Sequence, residues 1–247
     1  MEITIEAVES EKQFREWYAI FCAVFTDEED QFSESTILDI IAERRETSHH
    51  LLIVRFHKKP VGMIWQMINI KIKICYYYYF GVLEEYRKKG VFSFFQDLNE
   101  ECLKSGGIEL IIAEPKNPRC FKRDYEINEA KSRLRFYLDR LHFSIVSDLE
   151  ITYLRHYPPD DLDRIQDYYL LSFKPLTEPK KNQLLFNGKL TKEGLKFVYL
   201  GLMYLELGMP EEELKSKSAA ANMFLSALAI APVEGFSLLS LKNEIFS

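Results

Sequence analysis

The amino-acid sequence predicts an α/β fold, with helices flanking a central mixed β-sheet, followed by a C-terminal all-α extension. Segments of strand length either alternate apolar and polar residues or run apolar with many Ile, Val and Tyr. Segments with apolar residues at helical spacing stand between these runs, as a sheet covered by helices requires. From about residue 177 the strand-like runs end and three helix-like segments follow. We therefore predict a first domain over residues 1–176 and a helical extension over residues 177–247.

The first half of the predicted domain opens with an alternating strand, two helices and a β-hairpin. The first helix has Phe14, Trp17, Phe21 and Phe25 at helical spacing, and Ser33 is a suitable N-cap for the second. The hairpin strands flank the sequence HKKP, which is typical of a turn. The predicted ranges are strand 1–8, helices 11–25 and 33–46, and hairpin strands 50–56 and 61–70.

The second half of the domain continues with strands on either side of a central helix. Four consecutive tyrosines, residues 76–79, give the strand before this helix a high β-propensity, and they are expected to alternate between its two faces. Gly106 and Gly107 form a natural C-terminal stop for the helix. The predicted ranges are strand 71–83, helix 91–105, strand 108–115, helix 128–141, and strands 143–156 and 167–176.

Composition and charge exclude several classes of function. The net charge of −6 opposes a general nucleic-acid binder, so no nucleic-acid partner is expected. The acidic N-terminus lacks the apolar core of a signal peptide, and no apolar run is long enough to span a bilayer. We therefore expect a cytoplasmic protein without a membrane partner. The four cysteines have no metal-ligand spacing, so we expect reduced core residues and no metal.

The joint between the tyrosine-rich strand and the central helix reads EEYRKKGVFSFF, residues 84–95. It places Arg87, Lys88, Lys89 and Gly90 directly before the start of the helix near Val91. A helix N-terminus presents free backbone N–H groups and the positive end of the helix dipole. With cations added, such a joint is either an anion site, most naturally for phosphate, or a solvated basic turn.

The pattern of the central helix predicts which of its faces packs on the sheet. One face at helical spacing carries five apolar side chains: Val91, Phe94, Phe95, Leu98 and Cys102. Phe92 lies about 100° from Val91 around the helix axis, above Gln96 and Asn99. We therefore expect Phe92 to lie off the core face and beside any anion bound at the first turn.

Taken with a second motif, this joint resembles that of the GNAT superfamily of N-acetyltransferases. The matching text is VLEEYRKKGVFSFF and, later in the chain, RFYLDRLHF. Arg87 and Gly90 fit the loop pattern of the family, whereas Phe92 replaces a small residue. In the second signature Tyr137 fits and His142 replaces a glycine. The element order over residues 1–176 is also similar to that of the family.

The resemblance implies that acetyl-CoA is the acyl donor and co-substrate. Its pyrophosphate would lie on the backbone N–H groups of the loop, and its pantetheine arm beside the strand that ends at Val82. The residues that would bind it are Val82, Arg87, Lys88, Lys89, Gly90, Val91 and Phe92. A backbone N–H near Gly81 or Val82 would stabilise the oxyanion, because the family commonly has a bulge in this strand and a glycine often marks one.

Two side chains are the candidate catalytic groups. Tyr137 is the candidate acid for the departing thiolate, because a phenol is still protonated at neutral pH. Glu114, at the end of a buried strand, is the candidate base. Glu84, Glu85 or an ordered water are alternatives for the base. Each of these residues could instead be a structural residue: a packed tyrosine, or carboxylates in water.

The sequence thus predicts an acyltransferase that passes an acetyl group from acetyl-CoA to a primary amine of a small molecule or peptide by direct attack. A non-catalytic CoA sensor and an interaction module assembled through the helical tail remain alternatives. The segment 191–207 is too apolar for a free surface helix. We expect it to pack on the domain, on the other tail helices or in a homo-oligomer.

Overall fold

The computed structural model describes residues 2–26, 31–42, 47–147, 151–156, 165–231 and 234–239. By its internal contacts the chain divides into two units, Met1–Ile108 and Glu109–Ser247. The predicted domain boundary between residues 176 and 177 falls inside the second unit and stays a prediction.

The first unit contains an antiparallel sheet in which each strand pairs with the next along the chain. A tight turn at His57 and Lys58, both with positive φ (48° and 65°), joins the predicted hairpin strands. Positive φ at both central turn residues matches the twist of the flanking strands. The strands are β1 (Ile3–Ala7), β2 (Ser48–Phe56), β3 (Lys59–Asn69) and β4 (Ile74–Val82).

Two helices, α1 (Glu11–Val24) and α2 (Glu34–Ala42), lie between β1 and β2 in the chain. Trp17 is fully buried, and its ring N–H donates to the Ile64 carbonyl at 3.1 Å. The spacing predicted for α1 is confirmed: Phe14, Trp17 and Phe21 form one aromatic cluster with strands β2 and β3. Ser33 also acts as predicted, because its hydroxyl accepts the Thr36 N–H at 3.1 Å. Residues 43–46 of the second predicted helix lie outside the described residues.

The tyrosine-rich strand β4 contains a β-bulge, but the bulge lies within the tyrosine run and not at Gly81, the glycine that was expected to mark it. Trp65 pairs with Tyr79 while Gln66 pairs with Tyr77, so Tyr78 is the extra residue. The expected alternation of the tyrosines is therefore wrong at this point. Tyr78 and Tyr79 both contact Trp65, with ring centroids 4.9 and 5.9 Å away. Their two side chains lie on the same face of the strand.

The central helix α3 (Val91–Ser105) has the predicted bounds, and Val91 and Phe95 of its predicted core face are buried, but its buried face differs from the prediction at other positions. Phe92, Gln96 and Asn99 are buried, whereas Phe94 is 41% exposed and Cys102 is exposed. The amides of Gln96 and Asn99 each donate to the Tyr77 hydroxyl at 2.9 Å. The core face was predicted only in part because these hydrogen bonds allow polar side chains to face the sheet.

In the described part of the second unit, β9 (Ser172–Pro175) pairs antiparallel with two other strands. The predicted helix near residues 128–141 is confirmed as α4 (Asp124–Asp139). The long strand predicted over residues 143–156 is wrong for the described part, since its first segment spans two residues. The remaining strands are β5 (Leu110–Ala113), β6 (Ser144–Ile145), and a separate pair, β7 (Arg155–His156) with β8 (Ile165–Gln166).

The extension in the second unit contains more elements than the predicted three helices. The second of the three predicted helices is divided into two helices at Ser218. This residue ends the first helix, and its hydroxyl caps the next by accepting the Ala221 N–H at 3.0 Å. In place of the third, Phe236 forms an isolated bridge with Leu190, and residues 240–247 lie outside the described part. The elements are α5 (Glu178–Leu184), β10 (Leu185–Phe186), β11 (Lys189–Leu190), α6 (Lys192–Leu207), α7 (Glu211–Lys217) and α8 (Ala219–Ile230).

A search of the described residues for membrane spans found no helix with both the length and the apolar character to cross a bilayer.

Candidate active site

The basic loop of the first unit, residues 83–90, joins the end of β4 to the start of α3. It opens with a 3₁₀ turn at Glu84–Tyr86. Lys88 and Gly90 then adopt positive φ angles of 63° and 75°. Gly90 is the N-cap of α3 and brings no capping side chain to the first-turn N–H groups. Such a loop presents a helix N-terminus without a competing side-chain acceptor, as an anion site requires.

The cations predicted for this site lie together on the loop and are exposed. The Arg87 Nε donates to the Val82 carbonyl at 3.4 Å, which draws the guanidinium back over the loop. The Lys89 ammonium lies 5.3 Å from the centroid of the Tyr86 ring. Residues 84–89 contain three cations and two carboxylates, so the local charge is positive although the whole protein is acidic.

The predicted position of the Phe92 side chain, off the core face and beside the anion, is wrong. It is 9% exposed, and its ring lies 5.3 Å from that of Phe80 and 4.5 Å from that of Phe95. The ring therefore packs in the core of the first unit instead of pointing into the loop. The backbone of Phe92 remains a candidate contact for an anion, because it belongs to the first turn of α3.

The end of β4 explains its glycine through packing. A Cβ at Gly81 would lie 2.5 Å from the Val24 side chain of α1, so this position must be small. The bulge lies at Tyr78, three positions earlier in the strand. The Leu83 N–H donates to the Val61 carbonyl at 2.9 Å and is therefore committed. The register pairs Gly81 with Met63, two positions from this bond, so of the two predicted oxyanion donors the Val82 N–H, which faces away from β3, is the better placed.

Glu114 follows β5 at a point where the strand pairing continues. The Leu170 N–H donates to the Pro115 carbonyl and the Asn117 N–H to the Tyr168 carbonyl, both at 2.8 Å. The backbone on the C-terminal side of the carboxylate is thereby fixed. The carboxylate itself is half-buried, and its Oε1 accepts a hydrogen bond from the Tyr153 hydroxyl at 2.5 Å.

Tyr137 lies on α4 and is 9% exposed. Burial raises the pKa of its phenol well above the usual value, and the nearby charge of Glu114 raises this pKa further while Arg133 opposes both. The two predicted catalytic groups therefore lie within electrostatic reach of each other. A phenol with a raised pKa stays protonated and can donate a hydrogen bond throughout the neutral range, although the same shift makes it a weaker acid.

His142, which stands where the family pattern has a glycine, lies in the turn after α4. This residue has a φ of 55°, in the left-handed region that favours glycine. The turn lets the Phe143 N–H donate to the Tyr137 carbonyl at 2.9 Å, and the two rings lie 5.4 Å apart. His142 thus occupies a glycine-like backbone position that holds the end of the helix bearing Tyr137.

The alternative bases lie in the basic loop. Glu84 and Glu85 are exposed residues of the 3₁₀ turn in the first unit. Over the described part of the chain, no group of three or more His, Cys, Asp and Glu side chains is arranged to hold a metal ion. Sequence reasoning missed Tyr153, which carried no local signal because its partner Glu114 is 39 positions away.

Comparison with known proteins finds similarity at the level of the fold. No protein-family model matches the chain, and no curated protein sequence matches it. A putative GNAT-family acetyltransferase structure from Bacteroides thetaiotaomicron superposes with a TM-score of 0.55 at 16% identity. The match covers 83% of this chain and 99% of that one.

Two further structures superpose with lower scores. The ribosomal-protein-S18-alanine N-acetyltransferase of Escherichia coli has a TM-score of 0.46 and 15% identity over 71% of this chain and 95% of its own. A Bacillus subtilis acetyltransferase in complex with CoA has a TM-score of 0.47 and 15% identity over 71% of this chain and 100% of its own. The superposition on the Bacteroides structure shows that the chain has the α/β GNAT fold that the sequence predicted.

Proposed function

We propose that the protein is an N-acetyltransferase that moves the acetyl group of acetyl-CoA to a primary amine of a small molecule or peptide. The observation that carries this proposal is the loop before α3, in which Gly90 has a φ of 75° and leaves the helix start uncapped. In a GNAT-type fold this loop is the expected cradle for the CoA pyrophosphate. Arg87, Lys88 and Lys89 add positive charge around it.

The binding role divides between backbone and side chains. The N–H groups at Gly90, Val91 and Phe92 would receive the pyrophosphate, aided by the positive end of the α3 dipole. The three cations would strengthen this contact through exposed charges, whose contribution falls as salt rises. Val82, at the end of β4, would contact the acyl-bearing arm.

The proposed reaction is direct attack. The amine nitrogen bonds to the thioester carbonyl carbon, and a backbone N–H near Gly81 or Val82 stabilises the oxyanion that forms. Glu114 takes a proton from the amine nitrogen. The C–S bond then breaks, and Tyr137 supplies the proton that the leaving thiolate needs. Solvent returns a proton to the tyrosine and removes one from the carboxylate, which restores both groups.

The binding half of the proposal is tested by titration calorimetry with acetyl-CoA on a matched pair of variants. Gly90 and Gly107 stand at opposite ends of α3, both have positive φ (75° and 82°), and a Cβ at either meets nothing within 4 Å. Alanine at either position therefore costs a similar backbone strain of about 1–2 kcal/mol. Gly90→Ala is expected to weaken acetyl-CoA binding at least about tenfold, because its methyl group would stand between backbone and phosphate.

Gly107→Ala is expected to leave the affinity unchanged. Equal losses in both variants would place the phosphate away from this loop. No heat of binding to the unaltered protein at millimolar acetyl-CoA would overturn the proposed function altogether.

The chemical half is tested by release of free CoA thiol with a panel of amines that includes amino acids, polyamines, aminoglycosides and peptides with free N-termini. Turnover with at least one member, abolished by Glu114→Gln with acetyl-CoA affinity retained, is the expected result. Binding of acetyl-CoA without turnover on any of them would favour a CoA sensor.

A further inference from the structure

Among the described residues, Tyr153 contacts both the helical extension and the candidate base Glu114. We propose that the extension positions Glu114 by holding Tyr153, which makes Tyr153 a positioning residue for the acyl transfer. The inference rests on the proposed function in so far as Glu114 is the base. It assigns a role to a region that the resemblance to the GNAT fold left without one.

The first contact in this chain of interactions is a charge-assisted hydrogen bond. The Tyr153 hydroxyl donates to Oε1 of Glu114 at 2.5 Å, and Tyr153 is 5% exposed. A phenol that donates to a carboxylate forms one of the stronger hydrogen bonds in proteins. It also fixes the rotamer of the carboxylate, because rotation of that group would break the bond.

The second set of contacts ties Tyr153 to two helices of the extension. Its ring lies 6.0 Å from that of Tyr199 on α6 and 6.1 Å from that of Phe224 on α8, nearly perpendicular to both. Tyr199 and Phe224 stack on each other at 4.2 Å and are fully buried. Edge-to-face contacts of this kind are favourable and directional.

A third contact holds the backbone beside Tyr153. The Tyr199 hydroxyl donates to the Leu154 carbonyl at 3.4 Å. Helix α6 therefore contacts both the ring of Tyr153 and the backbone carbonyl of the next residue, Leu154. With ring and backbone both held, the phenol oxygen is directed at Glu114 by residues that lie more than 40 positions further along the chain.

Three substitutions separate the parts of this arrangement. Tyr153→Phe keeps the ring and removes the donor. Phe224→Leu keeps an apolar side chain on α8 and removes the aromatic edge contact. Phe197→Leu is the matched control, because Phe197 also lies on an extension helix, α6, but contacts a different group. The Lys180 ammonium lies 4.5 Å from the centroid of the Phe197 ring.

The first readout needs no acceptor. In protein labelled with ¹³C at the glutamate carboxyl carbon, the resonance missing from Glu114→Gln identifies Glu114. Tyr153→Phe and Phe224→Leu are both expected to displace this resonance by more than its line width, and Phe197→Leu is expected to leave it in place. A resonance unmoved in Tyr153→Phe would overturn the contact. One moved in Tyr153→Phe but not in Phe224→Leu would overturn the role of the extension.

The second readout is kinetic, with an amine from the panel that the protein acetylates. Tyr153→Phe is expected to lower kcat about tenfold, the loss for one charge-assisted hydrogen bond, with KM for the amine and Kd for acetyl-CoA unchanged. Phe224→Leu is expected to lower kcat in the same direction by less. A rise in KM at constant kcat would show a structural role only. If Glu114→Gln keeps full turnover, the assignment of the base fails, while the ¹³C result still decides the coupling.

Discussion

The basic loop of the first unit and the Glu114–Tyr137 region of the second differ in how they are built. In the loop the cations are exposed, and the conformation comes from positive φ angles at Lys88 and Gly90. In the second region Tyr137 is buried, and Glu114 is held by a side chain 39 positions away.

Because of this difference, the two regions are sensitive to different kinds of substitution. The loop is specified by a few consecutive residues, so substitutions there change backbone strain and local charge. The second region depends on packing across the unit, so substitutions at a distance can disturb it. Binding is therefore expected to respond to salt and to loop substitutions, whereas the chemical step is expected to respond to buried aromatic residues.

The largest effect is expected at the buried side of this comparison. Tyr137→Phe keeps the ring contact with Phe143 and removes the phenol proton. Loss of a general acid lowers turnover by about 10²- to 10⁴-fold. Stopped-flow or steady-state thiol release measures the loss, and calorimetry should find acetyl-CoA affinity unchanged. Full turnover in this variant would mean that the thiolate leaves without its help.

The next effect tests where the loop ends and the core begins. Phe92→Ala removes a buried ring and is expected to lower the free energy of unfolding by about 3–5 kcal/mol. Phe94→Ala is the control on the same helix turn, since Phe94 is 41% exposed, and should cost about 1 kcal/mol or less. Urea denaturation compares the two. Similar losses would restore the core face that the sequence pattern predicted.

A smaller effect is expected at the exposed cations. Arg87→Ala should weaken acetyl-CoA binding about fivefold at low salt, which corresponds to about 1 kcal/mol, and by less at high salt because exposed charges are screened. Lys104→Ala, at the opposite end of α3, is the control and should change nothing. Calorimetry at two salt concentrations measures both. A salt-independent loss would mean that Arg87 acts through the shape of the loop instead of its charge.

The smallest effect is expected on the free energy of unfolding, at His142 in the second unit. His142→Gly relieves a residue held at a φ of 55° and should raise the free energy of unfolding by about 0.5–1 kcal/mol. His142→Ala removes the same exposed imidazole but keeps the strain, so it should give no increase. Thermal or urea denaturation distinguishes them. An equal gain in both variants would show that the imidazole, and not the backbone, is unfavourable.

Much of the fold could be predicted from the sequence because its signals are local. Helical spacing in α1, the glycines after α3 and the turn residues between β2 and β3 each act within a few positions, and all three predictions are confirmed. The division of one predicted helix of the extension into two was missed because Ser218 both ends and starts a helix, which an apolar pattern does not reveal.

Of the candidate site, the basic joint was readable from residues 84–95 alone, and Tyr137 and Glu114 were placed by the resemblance to the GNAT fold. The buried face of α3 was predicted only in part, because Gln96 and Asn99 resemble surface residues in the sequence, whereas in the structure the Tyr77 hydroxyl accepts their hydrogen bonds. Tyr153 could not be found at all, since nothing in its own neighbourhood marks it as the partner of a carboxylate.

The sequence by itself therefore determined the order of the elements from β1 to α4 and the position of the loop at the start of α3, because turn and cap preferences depend on adjacent residues. Only the tertiary structure decided that the Phe92 ring belongs to the core, that β4 bulges at Tyr78, and that Tyr153 links Glu114 to the helical extension. These features arise from hydrogen bonds and ring contacts between distant segments, and local periodicity carries no information about which distant partner a side chain will meet.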